Sequence, residues 1–543
     1  MATSTQPAME REMNSKPISP ASGRTLAHTI GRNTVFGVIA RFAQVATRLV
    51  TIPIVIAHLG LGGYGIWSIV MTTAAYMRFG SIGIKSAFQK YVAEATGTGD
   101  YETANKLLST GCAAMLGLSV AVLIPVAWFS TALAKAAGVP PEFLHSAAES
   151  ISVLALIMVL SNVAGVYEAI VMGGHRIDLV RNFATFFTVA EAIAIVILLH
   201  FGYGLVAMAS VMAVSEVGFM LCCYVASKRI VPQVHVSRTF VAKSVVGELI
   251  RFAGSYQLVN VLEVLYASIL PVAVLRVFGA DAAGIYALAT RLVLSAVMLS
   301  DAFLVPILSG GAMVFASGSQ EEMRKLIAKS FKITLGLCLF PLGFIAVFGP
   351  KMVFAWTGQA DPSLPVALWL VCAAGFFQAF SILGLVLYRA SGKALLDNIR
   401  QALRIACLFS IAMFAREWGF FNVLAGLAVT EFIGMVFMLV AITRTFRAFR
   451  PQSLIPDALK LTTAAAVVLA AGAIATKMPL PVFSSARLQA VLELGKVSLA
   501  CLLAVWPALW LTKSITGGEG NAIMNIFLPR RMSGGQRSAE SLS

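Results

Sequence analysis

Hydrophobic windows of roughly 20 residues, separated by short polar breaks, recur from about residue 33 to residue 513. A hydrocarbon layer of ~30 Å is crossed by about that many helical residues, because a helix satisfies its own backbone hydrogen bonds inside lipid. The pattern predicts about fourteen transmembrane helices, over 33–57, 64–84, 107–134, 147–173, 179–200, 204–227, 246–275, 283–316, 330–356, 364–390, 395–415, 421–443, 458–476 and 488–512. The expected fold class is therefore an all-α integral membrane protein.

Composition agrees. Of 543 residues, 58% are hydrophobic and 12% charged, whereas soluble domains carry charge on about a quarter of their residues. The net charge of +16 would suggest nucleic acid in a soluble chain. Here most Lys and Arg fall on one side of the alternating loops, in clusters such as Lys228, Arg229, Arg238 and Lys243, then Arg324, Lys325, Lys329 and Lys332, then Arg444, Arg447 and Arg450. This is the positive-inside imbalance, which predicts cytosolic N- and C-termini, contact with anionic membrane lipids, and no nucleic-acid partner. Residues 1–32 lack the apolar core of a cleaved signal peptide and read, like 514–543, as a disordered cytosolic tail. The seven cysteines all fall in spans without CxxC spacing, which argues against a disulfide framework or a zinc site.

Two stretches resemble each other. One reads 41-RFAQ, then 53-PIVIAHLGLGGYGIW-67; the other reads 251-RFAG, then 271-PVAVLRVFGADAAGIYA-287. Each opens a span with Arg-Phe-Ala, carries a Pro near its outer end, and brackets the turn with two glycines, Gly60 and Gly65 or Gly279 and Gly284. The repeat relates span 1 to span 7, which cross in the same direction. It predicts parallel six-helix lobes, 33–228 and 246–450, about an axis along the membrane normal, with a binding site where they meet. Residues 229–245 form the cytosolic linker, and 451–513 supply two additional helices.

Short loops on both faces leave no large external domain of the kind that membrane enzymes building glycans use. The chain also lacks GxSxG, HExxH, GxxxxGK[ST] and paired-carboxylate loops, so no catalytic residue, cofactor or metal is expected.

Basic residues inside spans remain to be explained. An arginine at mid-membrane costs from about 3 to more than 10 kcal/mol unless it faces a bundle interior or wet cavity. Arg41 and Arg48, seven residues apart, lie about 10.5 Å apart along a helix and roughly 20° apart around it, with Gln44 on the same stripe. Arg78, Arg251 and Arg291 also interrupt apolar sequence. Snorkelling to headgroups is the competing explanation. Together these six residues predict a cationic cavity, suited to a phosphorylated polyanion because guanidinium forks match phosphate oxygens bidentately. Lys496, three residues after Glu493, reads as half of a local ion pair. The intramembrane acids are Glu168, Glu191, Glu216, Glu263, Asp301 and Glu431. A carboxylate that exchanges an Arg partner for a proton or Na⁺ would couple transport to a gradient. Glu263 and Asp301, near Arg251 and Arg291, are the coupling candidates. Trp67, Tyr76, Tyr167 and Tyr256 suit interfacial anchoring or sugar stacking.

The run 59-LGLGGYGIWSIVMTTAAYMRFGSIGIKSAFQKYVAEATGTGDYETANKLLST-110 resembles the polysaccharide-transporter branch of the multidrug/oligosaccharidyl-lipid/polysaccharide (MOP) exporter superfamily, the Wzx-like O-antigen flippases. Carrying the resemblance are the LG..GYGIW turn, the F-G-x-x-G-I of span 2, and Y-V-A-E-A followed by G-D-Y-E-T-A-N. The resemblance implies two six-helix bundles in a V and alternating-access export of a polyprenyl-diphosphate-linked glycan across the cytoplasmic (inner) membrane. It also implies that Arg41, Arg48, Arg78 and Arg291 line a cationic cavity, with a polysaccharide polymerase and glycosyltransferases as partners. The expectation is a non-enzymatic flippase for surface polysaccharide such as O-antigen or exopolysaccharide. A cation-coupled drug or metabolite exporter of the same superfamily, or a non-transporting membrane component of a glycan-synthesis complex, are the alternatives.

Overall fold

The computed structural model describes residues 47, 50–74, 82–174, 176–242, 246–316, 319–390, 395–445, 450–481 and 483–514. Within these, the side chains of 82–87, 246, 248–261, 264, 299–316, 385–386, 388–390 and 451 are outside the description. The protein is all-helical, with no strand among the described residues. In chain order the helices are α1 (Val50–Ala74), α2 (Ile82–Thr98), α3 (Tyr101–Trp128), α4 (Ser130–Ala136), α5 (Pro141–Gly173), α6 (Ile177–His200), α7 (Leu205–Ile230) and α8 (Val246–Ala316). They continue with α9 (Gln320–Thr357), α10 (Leu364–Ala390), α11 (Leu395–Met413), α12 (Ala415–Trp418), α13 (Phe420–Thr445), α14 (Ile455–Thr476) and α15 (Ala486–Leu511).

Among the described residues, eleven helical segments are long and apolar enough to cross a membrane, making this a multi-pass membrane protein. The spans expected at 246–275 and 283–316 are two helical segments of α8 that meet at a break at Gly279, where φ 88° and ψ −177° are not helical. Gly60 of α1, the matching position of the repeat, likewise has positive φ, 73°. Both glycines have positive φ, which costs other residues, and they stand where the sequence expects a turn. α11 is not among the eleven segments, because Asp397, Arg400 and Arg404 interrupt its apolar run.

Local chemistry fixes several helix starts. Asp100 caps α3 by accepting from the Thr103 N–H at 3.1 Å, and Glu102 follows in the first turn, where the helix dipole favours a negative charge. Ser319 and Ser485 cap α9 and α15 in the same way. α9 closes on Gly358 at φ 79°.

Contacts divide the chain into two compact units, one of residues 1–52, 77–130 and 149–256, the other of 53–76, 131–148 and 257–543. In the first, Phe88, Val92, Leu107, Leu108, Met115, Val166 and Ile170 form a core that also takes in Val231 and Val234 from the segment after α7. That segment is strapped to α3 by neutral side chains. Asn105 donates to the Gln233 carbonyl at 3.3 Å and accepts from the His235 N–H at 2.8 Å. Ser109 accepts from the Ser237 N–H at 3.1 Å, and Thr110 from the Ala242 N–H at 2.9 Å. An extended backbone without a neighbouring strand must satisfy its polar groups somewhere, and here a helix face does it.

In the second unit, α9, α10 and α13 share a core around Phe331, Phe380, Leu383, Met438 and Ile442. The α14–α15 hairpin packs on α9 through Phe348, Val468, Val497 and Cys501. Glu493 of α15 pairs with Lys351 of α9 and also accepts from Gln489. Lys496 instead donates to the Met478 carbonyl at 2.6 Å. The local Glu493 and Lys496 pair expected from helical spacing gives way to an interhelical one, because Glu493 faces α9.

Candidate functional site

Of the residues expected to form a cationic cavity, Arg41, Gln44, Arg48 and Arg78 lie outside the described residues. Arg251 and Asp301 belong to α8, with their side chains outside the description. Glu263, the other coupling candidate, is exposed on α8. Arg291 is half-buried on α8, and its guanidinium acts electrostatically on the Tyr64 hydroxyl of α1. Among the candidates, then, the structure places Arg291 beside the first repeat.

The two glycine motifs meet. A Cβ on Gly65 would strike the Ala280 carbonyl and lie 2.6 Å from the Gly284 nitrogen, while one on Gly284 would strike the Leu61 carbonyl. A Cβ on Gly62 would lie 2.9 Å from Asp281 Oδ1. In the repeat, Leu61 corresponds to Ala280, Gly62 to Asp281 and Gly65 to Gly284. The contact is therefore reciprocal, each copy offering the other the same positions, as in a two-fold interface. Small residues allow backbones this close, as they do in membrane helix pairs generally. The glycines noted in the sequence as turn brackets thus have two jobs: Gly60 and Gly279 supply the positive φ of the turn, and Gly65 and Gly284 let the two repeats approach closely.

A second feature is a buried charged network in the second unit, of which the sequence singled out only Glu431, as an intramembrane acid. It begins with α11, whose buried positions are Asp397, Arg400, Gln401, Arg404, Leu408 and Ile411. These fall at i, i+3, i+4, i+7, i+11 and i+14, one helical face, while Leu395, Ile399, Leu403 and Phe409 are exposed. The helix is inside out, polar toward protein and apolar toward lipid. Arg400 pairs with Asp397 at 2.8 Å, both side chains 2% exposed.

One turn on, Arg404 binds Glu431 of α13 and donates to Gln401 Oε1 at 2.6 Å. Its guanidinium lies 3.7 Å from the centroid of the Tyr266 ring on α8, a cation–π contact. The Tyr266 hydroxyl donates to the same Glu431 oxygen. Gly434, one turn beyond Glu431, leaves room for the network, since a Cβ there would press on Ser381 Oγ at 3.0 Å and Arg404 Cδ at 3.3 Å. Four buried polar atoms of this network lack partners, namely Ser381 Oγ, Gln401 Nε2, Arg404 Nε and Glu431 Oε2. Buried groups of this kind mark ordered water, an ion or a functional site. The intramembrane acid Glu216 of the first unit has a milder partner, the Ser161 hydroxyl. Among the described residues, no group of His, Cys, Asp and Glu is placed to hold a metal ion.

Residues 38–197 match the MatE family. No curated protein matches the chain in sequence. Among solved structures, the lipid II flippase MurJ in an inward closed conformation is similar over 92% of this chain and 100% of its own, with TM-score 0.67 and 13% identity. A multidrug resistance MATE family transporter of the MOP superfamily, inward-facing, is similar over 75% of this chain and 95% of its own, with TM-score 0.63 and 16% identity. A MOP superfamily transporter from Pyrococcus furiosus is similar over 77% of this chain and 96% of its own, with TM-score 0.54 and 18% identity. At these identities the likeness is one of fold, and that fold is shared by transporters of the MOP superfamily.

Proposed function

We propose that this protein is a flippase that carries a polyprenyl-diphosphate-linked oligosaccharide across the cytoplasmic membrane by alternating access, for surface polysaccharide synthesis. The observation that carries this reading is the reach of the fold. The 8% of the chain left uncovered by the lipid II flippase holds fewer residues than the Ile455–Leu511 hairpin, so that likeness extends into α14–α15. The arginine pattern supplies the chemistry. Arg41, Arg48, Arg78 and Arg291, with Arg251 and Gln44 alongside, bind the diphosphate bidentately in a partly dehydrated cavity. The prenyl chain stays in lipid, and the two lobes exchange inward- and outward-open states.

Net export requires differential affinity of those states for cargo or for a driving ion. Glycosyltransferases supply the cargo on the cytosolic side, where both termini lie, and a polymerase consumes it outside. The test is reconstitution into vesicles containing a polyprenyl-diphosphate oligosaccharide, with glycan exposure followed by a glycosidase on one side. Protein-dependent loss of protection supports the reading; protection equal to that of protein-free vesicles contradicts it. The MatE match over residues 38–197 favours a second reading, a cation-coupled exporter of drugs or metabolites. Under that reading the same vesicles would move an amphipathic organic cation and leave the glycolipid in place.

A further inference from the structure

Residues 229–245, which the sequence repeat makes the link between two lobes, are not held alike along their length. From Val231 to His235 the grip is firm. Val231 and Val234 are each 3% exposed in the core with Phe88 and Leu108, and the Asn105 amide binds the backbone twice, at Gln233 and His235. From Val236 to Ala242 no side chain is fully buried. Two hydroxyls hold that part, Ser109 at the Ser237 N–H and Thr110 at the Ala242 backbone, and a neutral hydrogen bond adds little net stability. Between the two contacts lies a 3-10 turn, Arg238–Phe240, capped by the Ser237 hydroxyl. Such a turn rises about 2 Å per residue against about 3.3 Å in extended chain, so it stores spare length.

We propose that residues 236–242 are a releasable tether for the inner end of α8. Contacts group that end, to residue 256, with the first unit, and the helix from residue 257 with the second. With the tether docked, the four residue steps from Ala242 to Val246 keep the start of α8 within ~14 Å of Ala242 on α3. Released as far as Val234, twelve steps reach ~40 Å. Parting α8 from α3 then breaks two weak contacts and unwinds one turn, while Asn105 and the two valines keep the link on the first unit. The grip belongs to α3 in particular. Its start, 100-DYETANKLLST-110, matches 319-SQEEMRKLIAK-329 at the start of α9, each with a capping residue, Asp100 or Ser319, and a Glu-to-Lys pair, Glu102 with Lys106 or Glu321 with Lys325. Where α3 carries Asn105, Ser109 and Thr110, α9 carries Arg324, Ala328 and Lys329, whose side chains offer a backbone N–H no acceptor. The three polar residues therefore serve the strap, not the helix start. That release accompanies transport rests on the reading of the chain as an alternating-access exporter.

The test uses the purified full-length protein and no cargo. Spin labels are placed at Thr103→Cys on α3 and Gly247→Cys on α8, both exposed positions, with Cys222 and Cys407, the native cysteines that are not buried, replaced by alanine. The distance distribution should hold a short component from the docked tether and a long one from the released tether. Ser109→Ala with Thr110→Val removes both hydroxyls and should enlarge the long component at least fivefold. A distribution unchanged by that double substitution overturns the tether. Amide exchange in the wild type supplies a second readout should the double variant fail to fold. The Ser237 and Ala242 amides should exchange at least tenfold faster than that of His235; equal protection at all three overturns the division into a firm and a releasable part.

Ser109→Cys with Ser237→Cys carries the test to function, because an oxidised disulfide there fixes the tether on α3. Glycolipid translocation in vesicles should fall at least tenfold on oxidation and return on reduction. Translocation at the same rate in both forms overturns the release step. Glycolipid that stays in place in both forms, while the distances and amide exchange behave as described, would remove the proposed cargo and leave the tether standing.

Discussion

Two buried polar regions of this protein invite comparison. On α3, Asn105, Ser109 and Thr110 are buried and hold the 231–242 segment through its backbone. In the second unit, Tyr266, Gln401, Arg404 and Glu431 are equally buried and hold one another. The first set is neutral and fully engaged with backbone groups, which is how polarity is buried at least cost. The second carries charge and leaves hydrogen-bonding capacity unused, which is the costly arrangement. The difference is one of cost: apolar residues of similar volume would hold these helices together without burying charge.

The largest effect is expected at Arg404. Arg404→Ala strands Glu431 as a buried charge and should destabilise the protein by about 3–5 kcal/mol, whereas replacing both members by apolar residues of similar volume should recover most of that loss. Chemical unfolding in matched detergent checks both variants. A double variant as unstable as the single one would mean that the pair is structural after all.

Asn105→Ala comes next, removing two hydrogen bonds to the strap and costing about 1–3 kcal/mol. The same substitution should raise backbone amide exchange at His235, whose N–H loses its acceptor. Unchanged exchange there would deny the strap its anchor.

Lys351→Ala breaks a pair whose side chains are 39% and 24% exposed, so the expected loss is below about 1 kcal/mol, read as earlier unfolding of the α14–α15 hairpin. The smallest effect concerns Asp100, whose carboxyl the Thr103 cap holds below the usual carboxylate range. Its contribution is fully present above the unfolded-state value and lost as pH falls through the lower folded value. Acid titration of α3 fraying, compared with Asp100→Ala, should show this dependence in the wild type and none in the variant.

Much of the fold was legible because lipid imposes a simple rule on sequence. Spans such as 147–173 and 458–476 correspond closely to α5 and α14, since an apolar run of sufficient length has one stable form in hydrocarbon. The paired glycine motifs were legible as a repeat, but their mutual contact was not, because periodicity does not say which copies touch. The charged network left a local trace. In 395-LLDNIRQALR-404 the pairs Asp397 and Arg400, then Gln401 and Arg404, recur at i, i+3, and the hydrophobic residues between them form a separate face. Read as an ordinary amphipathic helix, that face would point inward. In a membrane the solvent is apolar, so the polar face turns in. The partners Tyr266 and Glu431 stand far off in sequence; Glu431 is visible as an acid inside an apolar run, but nothing local says that it meets Arg404.

The cationic cavity remains the centre of the functional account, and Arg48 is its deepest expected member. The most direct test is Arg48→Ala in cells, following lipid-linked repeat units on the cytosolic leaflet and polysaccharide at the surface. The account predicts accumulation inside and loss outside at normal protein levels. Normal surface polysaccharide in that variant would contradict it.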